Sequence, residues 1–185
     1  WALNILNMFF RGDGKSNIVY GDCFKYGANT HHEYNRALLN PPFSQEGEPE
    51  TDFIDHALTA VKPGGRVAVV VKTKVMVDAD LEQWRKALVA NHHVEAVITL
   101  PLELFYPTAS PTVILVIRAH APNLNRGTLL ARIENDGFEI SKKRRIPIEG
   151  TKLPTVLELF KRYERDGVIE TIPNLAMVID RESIT

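Results

Sequence analysis

An α/β fold with a doubly wound sheet is what this sequence predicts, and three observations predict it. Residues 66–71 (Arg-Val-Ala-Val-Val-Val), 94–100 and 112–117 (Thr-Val-Ile-Leu-Val-Ile) are short apolar runs rich in β-branched residues, the pattern of strands covered on both faces. Segments with helical apolar spacing, 53–61 and 80–90, alternate with them. Breaks such as Lys62-Pro63-Gly64-Gly65 separate the two kinds. Such alternation builds an open, mostly parallel sheet flanked by helices.

Taken in order, residues 2–10 carry Leu3, Ile5, Leu6, Met8, Phe9 and Phe10 and are expected to form a buried helix, stopped by Gly12-Asp13-Gly14. Asn17-Ile18-Val19-Tyr20 reads as a short strand ended by Gly21-Asp22. A polar loop runs through His31 and His32 to Asn35. Arg36-Ala37-Leu38-Leu39 then forms an apolar strand leading into Asn40-Pro41-Pro42-Phe43, where the prolines forbid further ladder bonding. After the loop 44–51, Asp52 is the expected N-cap of the helix 53–61, with Phe53, Ala57, Leu58 and Val61 on one face.

Beyond about Arg118 the texture changes. Residues 129–133 and 138–140 flank Asn135-Asp136-Gly137, where a hairpin turn is expected. Lys142-Lys143-Arg144-Arg145 is a basic run. Residues 155–165 read as a solvated amphipathic helix with Leu157, Phe160 and Tyr163 available for packing, and the remainder carries weak strand signals.

Composition narrows the function. With 185 residues, 44% hydrophobic and 24% charged, the chain can bury one ordinary core and is neither disordered nor repetitive. No apolar run reaches the ~18 to 20 residues of a membrane helix. A single cysteine, Cys23, excludes an internal disulfide framework and a multi-cysteine zinc site, and suits a reducing cytoplasm. A net charge of -1 means that any contact with nucleic acid must come from a local patch. The adjacent pairs His31-His32 and His92-His93 read as solvated histidines, since neighbours in a strand point apart; no metal site is expected.

The segment Asn40-Pro41-Pro42-Phe43 carries the chemistry. It follows an apolar strand, and in such sheets the sites lie at the carboxyl ends of strands. The Asn40 amide oxygen and the Pro41 carbonyl can both accept hydrogen bonds from one exocyclic amine. The prolines hold these acceptors in place before anything binds. Phe43 offers a face on which a planar base can stack, worth ~1 to 3 kcal/mol.

This motif resembles the catalytic Asn-Pro-Pro-Phe motif of adenine-N6 DNA methyltransferases, and its surroundings resemble the modification subunit of type I restriction-modification systems. Supporting pieces stand in the same order: residues 4–12, 18–24 (Ile-Val-Tyr-Gly-Asp-Cys-Phe), 63–70, 100–116 and 133–145. The resemblance covers about residues 2–150. It implies an S-adenosylmethionine-dependent, Rossmann-like doubly wound sheet that transfers a methyl group from the cofactor to N6 of adenine in DNA. Asn40 and Pro41 would hold the target amine, with Pro42 fixing the loop and Phe43 stacking on the base. Asp22 would accept the exocyclic amine of the cofactor adenine, with Cys23 and Phe24 beside that ring; a turn-forming Gly-Asp is the other reading. Phe105 and Tyr106 would form the opposite wall of the base pocket, or else pack in the core.

The resemblance further implies double-stranded DNA with a flipped adenine, a specificity subunit and a restriction subunit as partners, in a bacterial or archaeal cytoplasm. It divides the chain into 1–120, the C-terminal part of the catalytic domain, and 121–185, a hairpin plus helix extension. Three departures stand out. The glycine-rich cofactor loop after the first strand and the acid that would hold the ribose are absent, and Pro107 stands where the family has glycine. With a start at Trp1 on an uncapped helix, the chain is expected to be an interior piece, with its sheet incomplete on the N-terminal side and inactive alone. An enzyme with the same motif acting on RNA or a protein glutamine, or a remnant that binds DNA or protein without catalysis, are the competing readings. Lys142 to Arg145 could meet DNA phosphates or form a solvated turn.

Overall fold

The computed structural model describes residues 1–14, 16–26, 32–43, 45, 47–107, 110–122, 124–142 and 144–184. Two compact units result, 1–30 and 31–185.

In the first unit, helix α1 (Ala2–Phe10) forms as its apolar content predicts, but it buries none of its side chains. Leu3, Phe9 and Phe10 are 82%, 65% and 80% exposed. The helix caps itself through backbone bonds from Arg11 and Gly12, and Trp1 Nε1 donates to the Ile18 carbonyl at 2.9 Å. The expected strand Asn17-Ile18-Val19-Tyr20 is irregular instead. Its β-favouring residues find no partner ladder in this unit, and strand propensity without a partner gives no strand. A single helical turn, α2 (Cys23–Tyr26), follows Gly21-Asp22.

The second unit is organised by a six-stranded sheet. Its strands are β1 (Tyr34–Leu39), β2 (Val61–Lys72), β3 (His93–Thr99), β4 (Thr112–Arg118), β5 (Thr128–Arg132) and a last strand, Ala176–Ile179, numbered β8. Strands β6 (Phe138–Ser141) and β7 (Arg144–Pro147) form a separate two-stranded ribbon. The sheet order is β1-β2-β4-β3-β5-β8. Strands β1, β2, β3 and β5 run one way, while β4 and β8 run against their neighbours. The continuous apolar run of β4 thus marks a strand covered on both faces, not a parallel one.

Helices cover both faces, which is the doubly wound arrangement. On one face α3 (Glu50–Ala60) and α5 (Glu82–Asn91) pack Ile54, Ala57, Leu58, Leu88 and Val89 against Val67, Val69, Val71, Val113, Leu115 and Ile117. On the other face α6 (Leu153–Asp166) packs Val156, Leu159 and Tyr163 against Ala96, Ile98, Val116 and Leu129. Of the three residues expected to pack, Phe160 and Tyr163 do, whereas Leu157 is 53% exposed and Val156 and Leu159 pack instead. A short helix, α4 (Lys74–Val77), joins β2 to α5.

Several boundaries depart from expectation for local reasons. Helix α3 begins at Glu50 rather than Phe53, because extended Pro49 serves as its N-cap and Glu50 and Asp52 both favour a first turn. Lys62-Pro63-Gly64-Gly65 does not close a helix but makes an excursion within β2, so that Tyr34 pairs with Val61 and Arg36 with Arg66. Gly65 is obligatory there: a Cβ would stand 2.4 Å from Val61 Cγ1 and 2.8 Å from the Asn35 carbonyl oxygen. The expected hairpin about Asn135-Asp136-Gly137 is absent. Both edges of β5 are occupied, by β3 and β8, so no edge remains for β6. Asn135 Oδ1 accepts from Gly137 N at 2.6 Å, and the chain turns away to form β6–β7 instead.

At the N-terminal ends of β2 and β3, Glu95 is buried between two arginines. Arg66 Nε and Arg118 Nη2 each donate to it at 2.6 Å, and Arg66 also reaches Glu164 of α6. Pairing slips between Val94 and Ala96, which makes Glu95 an extra residue in β3 and turns it toward the arginines. Of the histidines expected to be solvated, His32 is exposed, whereas His92 is half-buried and His93 buried. His93 is buried with Nε2 3.2 Å from the Tyr163 hydroxyl, whose own proton goes to the Gly127 carbonyl. His32, His120 and His92 pack edge to face at 4.6 and 4.9 Å, and His92 Nδ1 accepts from the His120 backbone N–H. His31 lies outside the described residues. Burial, with His120 alongside, pushes the His92 pKa down to about 4.

Two consequences are measurable. Gly65→Ala should lower the urea midpoint by the equivalent of about 1–3 kcal/mol, since the contacted atoms are largely backbone. Unfolded His92 takes up a proton below about pH 6.5, which the folded chain refuses until about pH 4, so stability must fall as pH is lowered through that window. The slope from this group is at most about 1.4 kcal/mol per pH unit, and His92→Asn should flatten it. Urea titrations at pH 7 and pH 5 check the sign.

Candidate active site

Asn40 follows directly on the C-terminal end of β1. Parallel pairing of Leu38 with Ala68 and Leu39 with Val69 aligns it with the C-terminal half of β2. Pro41 and Pro42 lack the N–H groups a ladder requires, so regular pairing stops at Leu39. Pro41 is buried, Asn40 and Pro42 are exposed, and Phe43 is half-buried. The loop is thus anchored at Pro41 while the Asn40 amide faces solvent.

The segment after β3 comes to meet it. Pro101 to Pro107 is a run of turns held by Leu104 N–H to the Pro101 carbonyl at 3.1 Å and Tyr106 N–H to the Glu103 carbonyl at 3.2 Å. Phe105 packs against the core and meets Phe43 edge to face, with ring centroids 5.5 Å apart and planes at 89°. Tyr106 is 40% exposed, and the Tyr106–Pro107 peptide is cis. The structure therefore brings Asn40, Pro41, Phe43 and Phe105 to one edge of the sheet, with Tyr106 next to Phe105.

Beside Asn40 lies a cavity of about 380 Å³ lined by Leu38, Leu39, Asn40, Ala68, Val69, Val70 and Ile114. It sits on the α6 face of the sheet, where Leu38 is 84% exposed. The lining residues of β2 and β4 among them, Ala68, Val69, Val70 and Ile114, are not marked as site residues by the sequence. A signal existed in Ala68: one small residue inside an otherwise bulky valine run leaves space on one face.

The proposed cofactor residues belong to the first unit and are described by themselves. Asp22 is exposed, and its Oδ1 accepts the Phe24 N–H at 3.0 Å, which starts α2. Its Oδ2 lies 3.7 Å from Lys25 Nζ. Cys23 is an exposed free thiol and Phe24 is half-buried. A cavity of about 490 Å³ is lined by Trp1, Asn4 and residues 18–22. Among the described residues no cluster of His, Cys, Asp or Glu could hold a metal ion, and no helix is long and apolar enough to cross a membrane.

The open sheet with helices on both faces is a methyltransferase-like fold: it superposes on a putative class I S-adenosylmethionine-dependent methyltransferase from Listeria monocytogenes with a TM-score of 0.52 at 17% identity, over 84% of this chain and 46% of that chain. Residues 15–185 match the N-6 DNA methylase family, and the chain belongs to that family. It is similar to the type II restriction enzyme and methyltransferase RM.BcgI of Heyndrickxia coagulans, 29% identical over 175 residues, covering 87% of this chain and 28% of that protein. It is also similar to the type I restriction enzyme MpnII methylase subunit of Mycoplasma pneumoniae, 25% identical over 174 residues, covering 94% of this chain and 28% of that one. Among solved structures, the type I restriction-modification methyltransferase subunit from Streptococcus thermophilus superposes with a TM-score of 0.71 at 20% identity, over 97% of this chain and 42% of that chain. The chain therefore spans less than a third of the length of these curated relatives.

Proposed function

We propose that the protein containing this chain transfers a methyl group from S-adenosylmethionine to N6 of an adenine in DNA, as the modification subunit of a type I restriction-modification system. The observation that carries this reading is the Asn40–Phe43 loop at the sheet edge, facing Phe105. Family membership supports the DNA substrate over RNA or a protein glutamine.

The residues divide the work as follows. Asn40 Oδ1 and the Pro41 carbonyl would each accept one N–H of the target amine. Both hydrogens are then held, and the nitrogen lone pair points away from the two acceptors. S-adenosylmethionine supplies an electrophilic methyl group on a sulfonium sulfur, so positioning supplies most of the rate. An adenine inside a duplex cannot reach this edge and must be flipped out. Phe43 would stack on the flipped base. Because Phe105 is engaged edge-on by Phe43, the more exposed Tyr106 is the better candidate for the opposite wall. Asp22 would accept the cofactor's adenine amine through Oδ2, in place of its long surface pairing with Lys25, with Cys23 and Phe24 along the ring.

Partners follow from the same reading. A specificity subunit would supply the sequence recognition, and a restriction subunit would join the same assembly. The setting is the cytoplasm of a bacterium or archaeon.

The test uses the complete protein with its specificity partner. Asn40→Ala should lower methyl transfer by roughly 100-fold or more while leaving the cofactor dissociation constant within about twofold, because Asn40 is assigned to the amine and not to the cofactor. Turnover and calorimetric cofactor binding, measured side by side, check it. Equal loss of both would move Asn40 to the cofactor site, and unchanged turnover would remove it from catalysis.

A further inference from the structure

We infer that the β6–β7 ribbon is a phosphate-gripping arm that holds the DNA duplex beside the Asn40 edge, through Lys142 and Arg144. The inference rests on the DNA reading above and adds to it the residues that hold the backbone.

Among the described residues the two strands of the ribbon pair with each other and with no other strand. The base of the ribbon is tied to the sheet at β3, at the same carboxyl end of the strands as Asn40 but three strands across from β1. Ile133 N–H, immediately after β5, donates to the carbonyl of Thr99 at the C-terminal end of β3, at 2.8 Å. Two residues on, the Asn135 carbonyl accepts Lys152 N–H at 2.8 Å, and the Gly137 carbonyl accepts Ile148 N–H at 2.9 Å, closing the ribbon's base. Strands of four residues place the tip about 13 Å from that base.

The cations of the ribbon are not equivalent. Arg145 is spent inside it: it pairs with Asp136, and its guanidinium lies 4.9 Å over the Phe138 ring. This locks the base of the ribbon to its turn. Arg144 pairs with Ser141 in register, on the opposite face from Arg145, and is exposed. Lys142 stands at the tip with φ 46° and is also exposed. Among the described residues neither Lys142 nor Arg144 makes an ion pair or a side-chain hydrogen bond. Glu139 shares the Arg144 face without pairing with it.

A chain of net charge -1 has no general attraction for a polyanion, so binding must come from placed cations. Two uncommitted cations on a stiffened ribbon, rooted at the same carboxyl end of the sheet as Asn40, fit that need. Phosphate contacts of this kind position the duplex and read no sequence.

The experiment is duplex binding by the complete protein across a salt series. For Lys142→Ala with Arg144→Ala, the slope of log affinity against log salt should become shallower by about 2, near 0.9 per lost phosphate contact. Affinity at low salt should fall about tenfold or more, equally on unrelated sequences. Calorimetric S-adenosylmethionine binding should stay unchanged. The pair Lys142→Arg with Arg144→Lys should restore the slope, because charge is what the role requires. An unchanged slope in a protein that binds duplex overturns the arm while leaving the methyltransferase reading intact. A wild-type protein that does not bind duplex overturns both. Loss of subunit association with an unchanged slope would assign the ribbon to a protein partner and also overturn the inference.

Discussion

The pairing of β1 with β2 is the constraint on which the rest of this structure depends. One ladder, with Leu39 opposite Val69, sets where β1 ends and therefore where Asn40 stands. β2 can impose that register because it is itself fixed on its other side by seven consecutive pairings with β4. Val67, Val69 and Val71 are fully buried against α3 and α5, so a slip of one residue would turn the whole set out of the core. Two prolines then stop the strand at a defined point. The geometry of the motif loop is thus inherited from a valine-rich strand that carries none of the motif residues.

What the sequence made legible follows from how local each signal is. The runs 66–71, 94–100 and 112–117 became β2, β3 and β4 because covered strands need continuous apolar residues, whatever lies around them. Asn40-Pro41-Pro42-Phe43 was legible because its residues act through their own backbone and side chains. The failures involve neighbours. α1 formed but stayed exposed, since burial requires a surface to pack on. The turn at Asn135-Asp136-Gly137 was read correctly as a turn and wrongly as a hairpin, because the occupancy of both β5 edges is invisible along the chain. His92 and His93 looked solvated as an adjacent pair, while β3 places one on Tyr163 and the other on His120.

Glu95 shows a similar limit. Nothing in Val-Glu-Ala marks a bulge, and an acid inside an apolar strand reads as an exposed position. The observed role depends on Arg66 and Arg118 standing opposite each other on β2 and β4. A buried carboxylate is costly unless its oxygens are occupied, and here two guanidinium groups occupy them. The cluster also explains why α6 docks where it does, since Glu164 joins the same arginines.

That cluster sits at the opposite end of the strands from Asn40. The two ends are consequently free to follow different histories. Substitutions around the arginine–glutamate knot are filtered by whether the sheet survives. The motif loop, outside the ladder and largely in solvent, can drift toward another planar amine without the scaffold resisting. A lineage could thus change what it modifies, or lose the reaction altogether, and still keep this sheet recognisable.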